Sequence, residues 1–427
     1  MKAFPGNHAL AAAALLVLLG APALGGGRNG TVQVTTDRFR GHVEPDVAVN
    51  PRNRLNLLGA CQYETGPQQR LPGTFASFDG GRSWRDNGVL PLPQGYEQGA
   101  DTTVAFTRDG TGYVAALMSH GGSGYASRVE RGGVFLWKTL DGGRTFSNPI
   151  AVYVGPGFQD HPWLAIRNTR DGPVLYLAWT NRAGLEFTRS RPGTTHFARP
   201  RLVVPGGAPS TPVLVTGAGA ELELFFQEMR FPTRGGKLQP LPTTLAEIAS
   251  LDGGRTFDPV RRIAHVLITA GSGGRQPPPL LAAAADPVSG ASSVAIAAQN
   301  PRRGHPVVEL WQRARPSGRW RGPIVPVAGA AGLQTQEQPR LVYADGRLSI
   351  FYFTISRNGT IRARLTRASR VPTTFTPQAL PGRSFSADGF IGDYQALAIA
   401  GRVGYALWNS SLSGRLEIVA SRFAVSR

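Results

Sequence analysis

The chain repeats one phrase: a polar or proline-containing start, a short apolar run, a turn, then a second run dense in aliphatic and aromatic side chains. It occurs as EPDVAVNPRNRLNLLGACQ from Glu44, ADTTVAFTRDGTGYVAALM from Ala100, DHPWLAIRNTRDGPVLYLAWT from Asp160 and STPVLVTGAGAELELFFQE from Ser210. QPPPLLAAAADPVSGASSVAIAAQ from Gln276, EQPRLVYADGRLSIFYFTI from Glu337 and GDYQALAIAGRVGYALWN from Gly392 complete a set of seven. Short apolar runs bounded by Gly, Pro, Asn and Asp predict β-strands joined by tight turns, and no long amphipathic helical pattern competes with them. Each phrase, with the chain that follows it, has room for four short strands, the size of one propeller blade. The expectation is an all-β propeller of seven blades, a single domain over residues 29–427. Its last unit runs out after LEIVASRFAV, so Thr31–Phe39 is expected to supply the missing outer strand and close the ring.

Between the third and fourth strands of units one, two and four stands a stricter motif: SFDGGRSW at Ser77–Trp84, TLDGGRTF at Thr139–Phe146 and SLDGGRTF at Ser250–Phe257. Asp79, Asp141 and Asp252 can accept hydrogen bonds from the amides of their own turn. Gly81, Gly143 and Gly254 tolerate positive φ, and Trp84, Phe146 and Phe257 supply packing area. Units three, five and six keep only an aromatic at this place, Phe197, Trp320 and Phe375.

These octapeptides resemble the Asp-box, or BNR repeat, of sialidases and related secreted propellers. The resemblance implies a β-propeller with the boxes on its outer rim, away from the catalytic face. Sialidases have six blades, so six is the alternative to the seven counted here.

Composition adds an address and a surface. Lys2, the apolar stretch Ala9–Leu19 and the small residues Ala21, Ala23 and Gly25 read as a secretory signal over residues 1–25, which predicts a secreted, periplasmic or cell-surface protein with no transmembrane segment after signal removal. Cys61 is the sole cysteine, which excludes an intramolecular disulfide. Net charge is +19, carried by 43 Arg against 3 Lys, with denser patches at Arg302–Arg321 and Arg362–Arg370. Dispersed guanidinium groups attract anions in general and do not mark a specific nucleic-acid site; the partners expected are a glycan or acidic polysaccharide, with a protein partner as a further possibility.

Starts of innermost strands converge on one mouth of a propeller channel. That places Glu44 and Asp46, Asp101, Asp160 with His161 and Trp163, Gln338 and Arg340, and Asp393 with Tyr394 around one opening. Carboxylates that hold hydroxyls beside aromatic faces suit sugar binding. Adjacent positions on a regular strand point to opposite faces, which separates His161 from Asp160. No phosphate-binding loop, nucleophile elbow or zinc-protease motif is present, and neither a metal nor a cofactor is expected, although loop carboxylates and carbonyls leave calcium open.

The sialidase resemblance further implies three arginines clamping a substrate carboxylate, a tyrosine nucleophile and an aspartate acid/base. The first arginine motif is missing, because HVEPDV occupies His42–Val47 and Arg38 and Arg40 lie out of register. Arg340 is the remaining clamp candidate. IGDYQAL matches the late tyrosine segment at Tyr394, with Asp46, Asp101 or Asp160 as acid/base and Glu44, His161, Trp163, Gln338 and Asp393 as substrate-binding groups. Two readings follow: an exo-glycosidase on acidic sugars, or a non-catalytic propeller that binds carbohydrate or protein.

Overall fold

The computed structural model describes residues 30–122, 128–206, 209–217, 219, 221–229, 241–268, 279–316, 318–326, 335–368, 374–378, 380–386 and 390–425. The expected signal over residues 1–25 and the start of the fifth phrase at Gln276 lie outside them. Among the described residues no helix is long and apolar enough to cross a membrane.

Among the described residues the apolar runs become 28 strands in seven four-stranded antiparallel sheets. The innermost strands of blades one to seven are Gly41–Val49, Gln98–Phe106, Asp160–Thr169, Pro209–Thr216, Ala282–Ala285, Thr335–Ala344 and Ala396–Ala400. A four-stranded sheet has two faces to bury, and each is buried against the next blade. The core is therefore divided into seven apolar wedges. Phe135 and Trp137 of blade two meet Leu58 of blade one in one wedge, and Leu407 and Ile418 of blade seven meet Val47 and Phe75 of blade one in the wedge that closes the ring. The molecule is a seven-bladed β-propeller. The six-bladed alternative is excluded because every one of the seven phrases carries its own sheet.

Thr31–Gln33 is the outer strand of blade seven, with Thr31 opposite Ser421 and Gln33 opposite Val419. The strand is shorter than the stretch Thr31–Phe39 for a local reason. Asp37 accepts the Phe39 N–H at 2.7 Å and sits 2.9 Å from His42 Nε2, which turns the chain out of blade seven and into blade one.

The three Asp-Gly-Gly turns are superposable in their bonding. Asp79 Oδ1 accepts the Arg82 and Ser83 N–H groups at 2.9 Å each, and Oδ2 accepts the Ser83 hydroxyl at 2.6 Å. Asp141 and Asp252 repeat the pattern with Arg144 and Thr145, and with Arg255 and Thr256. Ser77, which opens the first turn, pairs with Leu57, and Leu57 pairs with Val49 at the far end of the innermost strand. The turns therefore stand at the opposite end of the propeller from the strand starts. Their closing aromatics pack toward the preceding blade: Trp84, Phe146 and Phe257 each enter an inter-blade wedge. So do Phe197, Trp320 and Phe375, where the aspartate has been lost. Packing area is supplied at this place in blades one to six, whereas the turn can close without its carboxylate.

Candidate active site at the axial mouth

Five innermost strands begin with the same distortion. Glu44, Asp101, His161, Thr211 and Gln338 have φ of 61°, 51°, 46°, 53° and 52°, and in each strand the pairing register slips across that residue. A bulge re-aims side chains at a strand end, and a non-glycine residue in the left-handed region costs on the order of 1–3 kcal/mol. Four of the five precede a proline, Pro45, Pro162, Pro212 and Pro339, which has no N–H for the ladder and so belongs at such an interruption. The bulge also overturns the expectation for His161. With the strand distorted between Asp160 and Trp163, Asp160 and His161 face the same opening, and one ligand-type atom each from Asp101, Asp160 and His161 lies within 4.8 Å of the others.

Blade seven completes the mouth by close backbone approach. Gly392 has φ of 77°, and a Cβ there would meet the Glu44 backbone N and Cγ at 3.0 Å, so only glycine carries the chain so near blade one. The next residue, Asp393, donates its N–H to Glu44 Oε1 at 3.2 Å. Asp393 Oδ1 is shut off from solvent with no hydrogen-bond partner among the described residues. Tyr394 follows, its ring centroid 5.9 Å from that of His161 and inclined at 55°.

The mouth is acidic. Asp160, His161, Asp393 and Tyr394 keep part of their surface open, while Glu44 and Asp101 are buried. Burial first, then the charges of Asp393 and Asp101, hold the Glu44 carboxyl well above the usual range. Burial pushes Asp160 up to about 7; His161 opposes this, and the charge of Asp101 and a hydrogen bond to its carboxyl add to it. Asp393 is likewise raised to about 7 by burial, with His161 opposing and Asp101 and Asp160 adding. Burial alone would lower the His161 pKa, but Asp101, Asp160 and Asp393 outweigh it and the net direction is up.

Several expected site residues prove to be struts. Asp46 accepts the Val104 N–H at 2.9 Å, the Thr103 hydroxyl at 3.3 Å and Arg340 Nη2 at 2.7 Å, which engages both of its oxygens in holding neighbouring strands. Arg340 is thereby neutralised, and its guanidinium covers the Trp163 ring at 4.7 Å. The carboxylate clamp assigned to Arg340 and the sugar-stacking face assigned to Trp163 are both occupied by the protein itself. Gln338 uses its amide to brace blade seven, donating to the Gly392 carbonyl and accepting from Gln395 at 2.8 Å. Tyr394, expected as nucleophile, is pushed well above the ordinary phenol range by burial and then by Asp101, Glu44, Asp46 and Asp393.

Sequence reasoning missed Arg70, from the third strand of blade one. It stands 5.2 Å over the Phe390 ring and 3.6 Å from Glu64 Oε1, and its charge reaches Glu44 and Asp393. No motif surrounds Arg70, so no sequence signal marked it.

No protein-family model matches the sequence, and no curated protein does. Solved structures share the fold at low identity. An ulvan lyase of a new polysaccharide lyase family aligns with a TM-score of 0.56 at 9% identity, over 93% of this chain and 96% of that one. The α-L-arabinanase of Penicillium chrysogenum, complexed with arabinobiose, aligns at 0.51 and 12% identity over 93% and 97%. The leech intramolecular trans-sialidase, complexed with 2,7-anhydro-Neu5Ac, aligns at 0.51 and 11% identity over 82% and 70%. The fold is thus that of propellers which include sialidases.

Proposed function

We propose that this protein is a glycan-processing enzyme that works at the axial mouth on sugars lacking a carboxylate, with Asp160 as proton donor. The observation that carries this reading is the cluster of Asp101, Asp160 and His161, one ligand-type atom of each within 4.8 Å of the others, beside the half-open ring of Tyr394. A carboxyl that stays protonated near neutral pH can protonate a glycosidic oxygen, and a second carboxylate is needed to act on the sugar or on a water. Asp393, partly open to the mouth and within electrostatic reach of Asp160 and His161, is the carboxyl for that part in its ionised form. His161 and Tyr394 supply the ring surface for stacking.

Acidic sugars fit this mouth poorly. A carboxylate brought within about 5 Å of an ionised aspartate here meets about 3 kcal/mol of repulsion at an effective dielectric near 20, and Arg340 is not free to offset it. The arabinanase, with its arabinobiose complex, supports a neutral saccharide as the occupant of such a fold. The leader over Ala9–Leu19 supports action outside the cytoplasm. A binding-only reading is favoured by one fact, that Asp46, Arg340 and Gln338 serve structure. A panel of neutral and carboxylated oligosaccharides, read for both binding and release of sugar, separates the cases. Cleavage of neutral members supports the proposal, binding without cleavage supports the second reading, and cleavage restricted to sialosides contradicts both.

A further inference from the structure

With Arg340 neutralised, anion recognition has to be sought among guanidinium groups that no carboxylate holds. Blade six carries such a group. A cleft of about 440 Å³ is lined by Thr354, Ser356, Arg357, Asn358, Thr360, Arg362 and Arg364, with no acidic residue in its wall. None of the three arginines forms an ion pair among the described residues.

The sheet explains how they meet. Thr354 lies opposite Arg362, and Tyr352 opposite Arg364. Residues two apart on a strand share a face, so Arg362 and Arg364 point the same way. That face is the one on which Tyr352 packs against Val308 and Leu310 of blade five. Arg364 Nε is steadied by the Thr354 hydroxyl at 3.4 Å. Arg357 comes from the turn above, which Asn358 Oδ1 holds by accepting the Ser356 hydroxyl and the Thr360 N–H at 2.5 and 3.2 Å. Ile355, just before that turn, pairs with Thr335 at the start of the innermost strand. The cleft therefore opens on the same end of the propeller as the acidic mouth.

We infer that this cleft is a binding site for a tetrahedral oxyanion, a sulfate or phosphate group, free or borne as an ester on a glycan. Guanidinium forks match such oxygens two at a time, hydroxyl groups complete the donor set, and a wall without carboxylates presents no competing partner. The site is independent of the reaction at the mouth.

The test is calorimetric titration with sodium sulfate, sodium phosphate and a sulfated disaccharide. It compares the parent, the variant Arg357→Ala with Arg362→Ala, and a charge-matched control, Arg191→Ala with Arg199→Ala, two exposed arginines of blade three. The expected result is saturable binding near one ion per chain, weakened at least about tenfold in the blade-six variant and unchanged in the control, since the blade-six variant loses charge-assisted hydrogen bonds. Tighter binding of the disaccharide than of inorganic sulfate identifies an ester as the ligand, and equal binding identifies the free ion. Equal weakening in both variants, or binding of acetate but not of sulfate, overturns the inference. Near-parental melting temperatures and circular dichroism in both variants keep the comparison free of folding effects.

Discussion

Arg340 of blade six places Nη2 2.7 Å from Asp46 Oδ1 of blade one. The bond joins two innermost strands that have all of blade seven between them, and Asp46 passes the link on to Val104 of blade two. Asp46 is buried and Arg340 partly so, and removing one partner leaves the other charge uncompensated, at a cost of up to about 3–5 kcal/mol. Arg340→Met and Asp46→Asn should each lower stability by about that much in chemical denaturation. The double variant should lose clearly less than the sum of the two, and strict additivity would show that the pair is not coupled.

The Asp-Gly-Gly turns should make the protein sensitive to acid. In Asp141, burial pushes the carboxyl up, but hydrogen bonds from Thr145, Thr139 and Arg144 outweigh it and bring the pKa down to about 2. Asp79 is lowered by the same balance, and Asp252 chiefly by the N–H and hydroxyl of Thr256. A depressed folded-state pKa gives stability that is present above the unfolded value near 4 and lost as pH falls toward about 2. The melting temperature should drop across that window, and the drop should be shallower in Asp141→Ala. At neutral pH that variant should be about 1 kcal/mol less stable than the parent with saccharide binding unchanged, because the turns stand at the other end of the propeller. Loss of binding would contradict that placement.

Ring closure rests on the N-terminal strand. Deleting residues 31–39 removes the pairing with Glu417–Ala424 and the Asp37 contact to His42, exposing a sheet edge. Aggregation or a clear fall in melting temperature is expected by light scattering and calorimetry; a truncated protein as soluble and heat-resistant as the parent would refute the role.

Tyr394 separates a nucleophile from a platform. A phenol pushed up by burial, and then by four neighbouring carboxyl groups, is a poor nucleophile at neutral pH. Tyr394→Phe should therefore keep both binding and turnover within a few-fold, whereas Tyr394→Ala should weaken saccharide binding about tenfold by removing the ring. Abolished turnover in Tyr394→Phe would restore the nucleophile reading.

The architecture was legible because its signals are periodic: seven apolar phrases, and turns whose glycines and closing aromatics recur at blade spacing. The mouth was legible only as a set of positions. That Asp101, Asp160, His161, Asp393 and Tyr394 converge follows from strand starts in a ring. The roles of Asp46, Arg340 and Gln338 depended on which neighbour each side chain reaches, and those partners lie up to 294 residues away in sequence. The bulge at His161 had a local mark in the following proline, but a regular-strand reading passes over it. Arg70 had no mark at all.

The central claim, that Asp160 donates a proton at the axial mouth, is tested most directly by the pH dependence of sugar release from a neutral oligosaccharide that the parent cleaves. A donor whose pKa is raised to about 7 works in its protonated form. The rate should therefore peak near 7, falling at higher pH as Asp160 loses its proton and at lower pH as Asp393 gains one. Asp160→Asn should abolish turnover while still binding the oligosaccharide. A rate that stays level across neutral to alkaline pH, or an Asp160→Asn variant as active as the parent, would contradict the account.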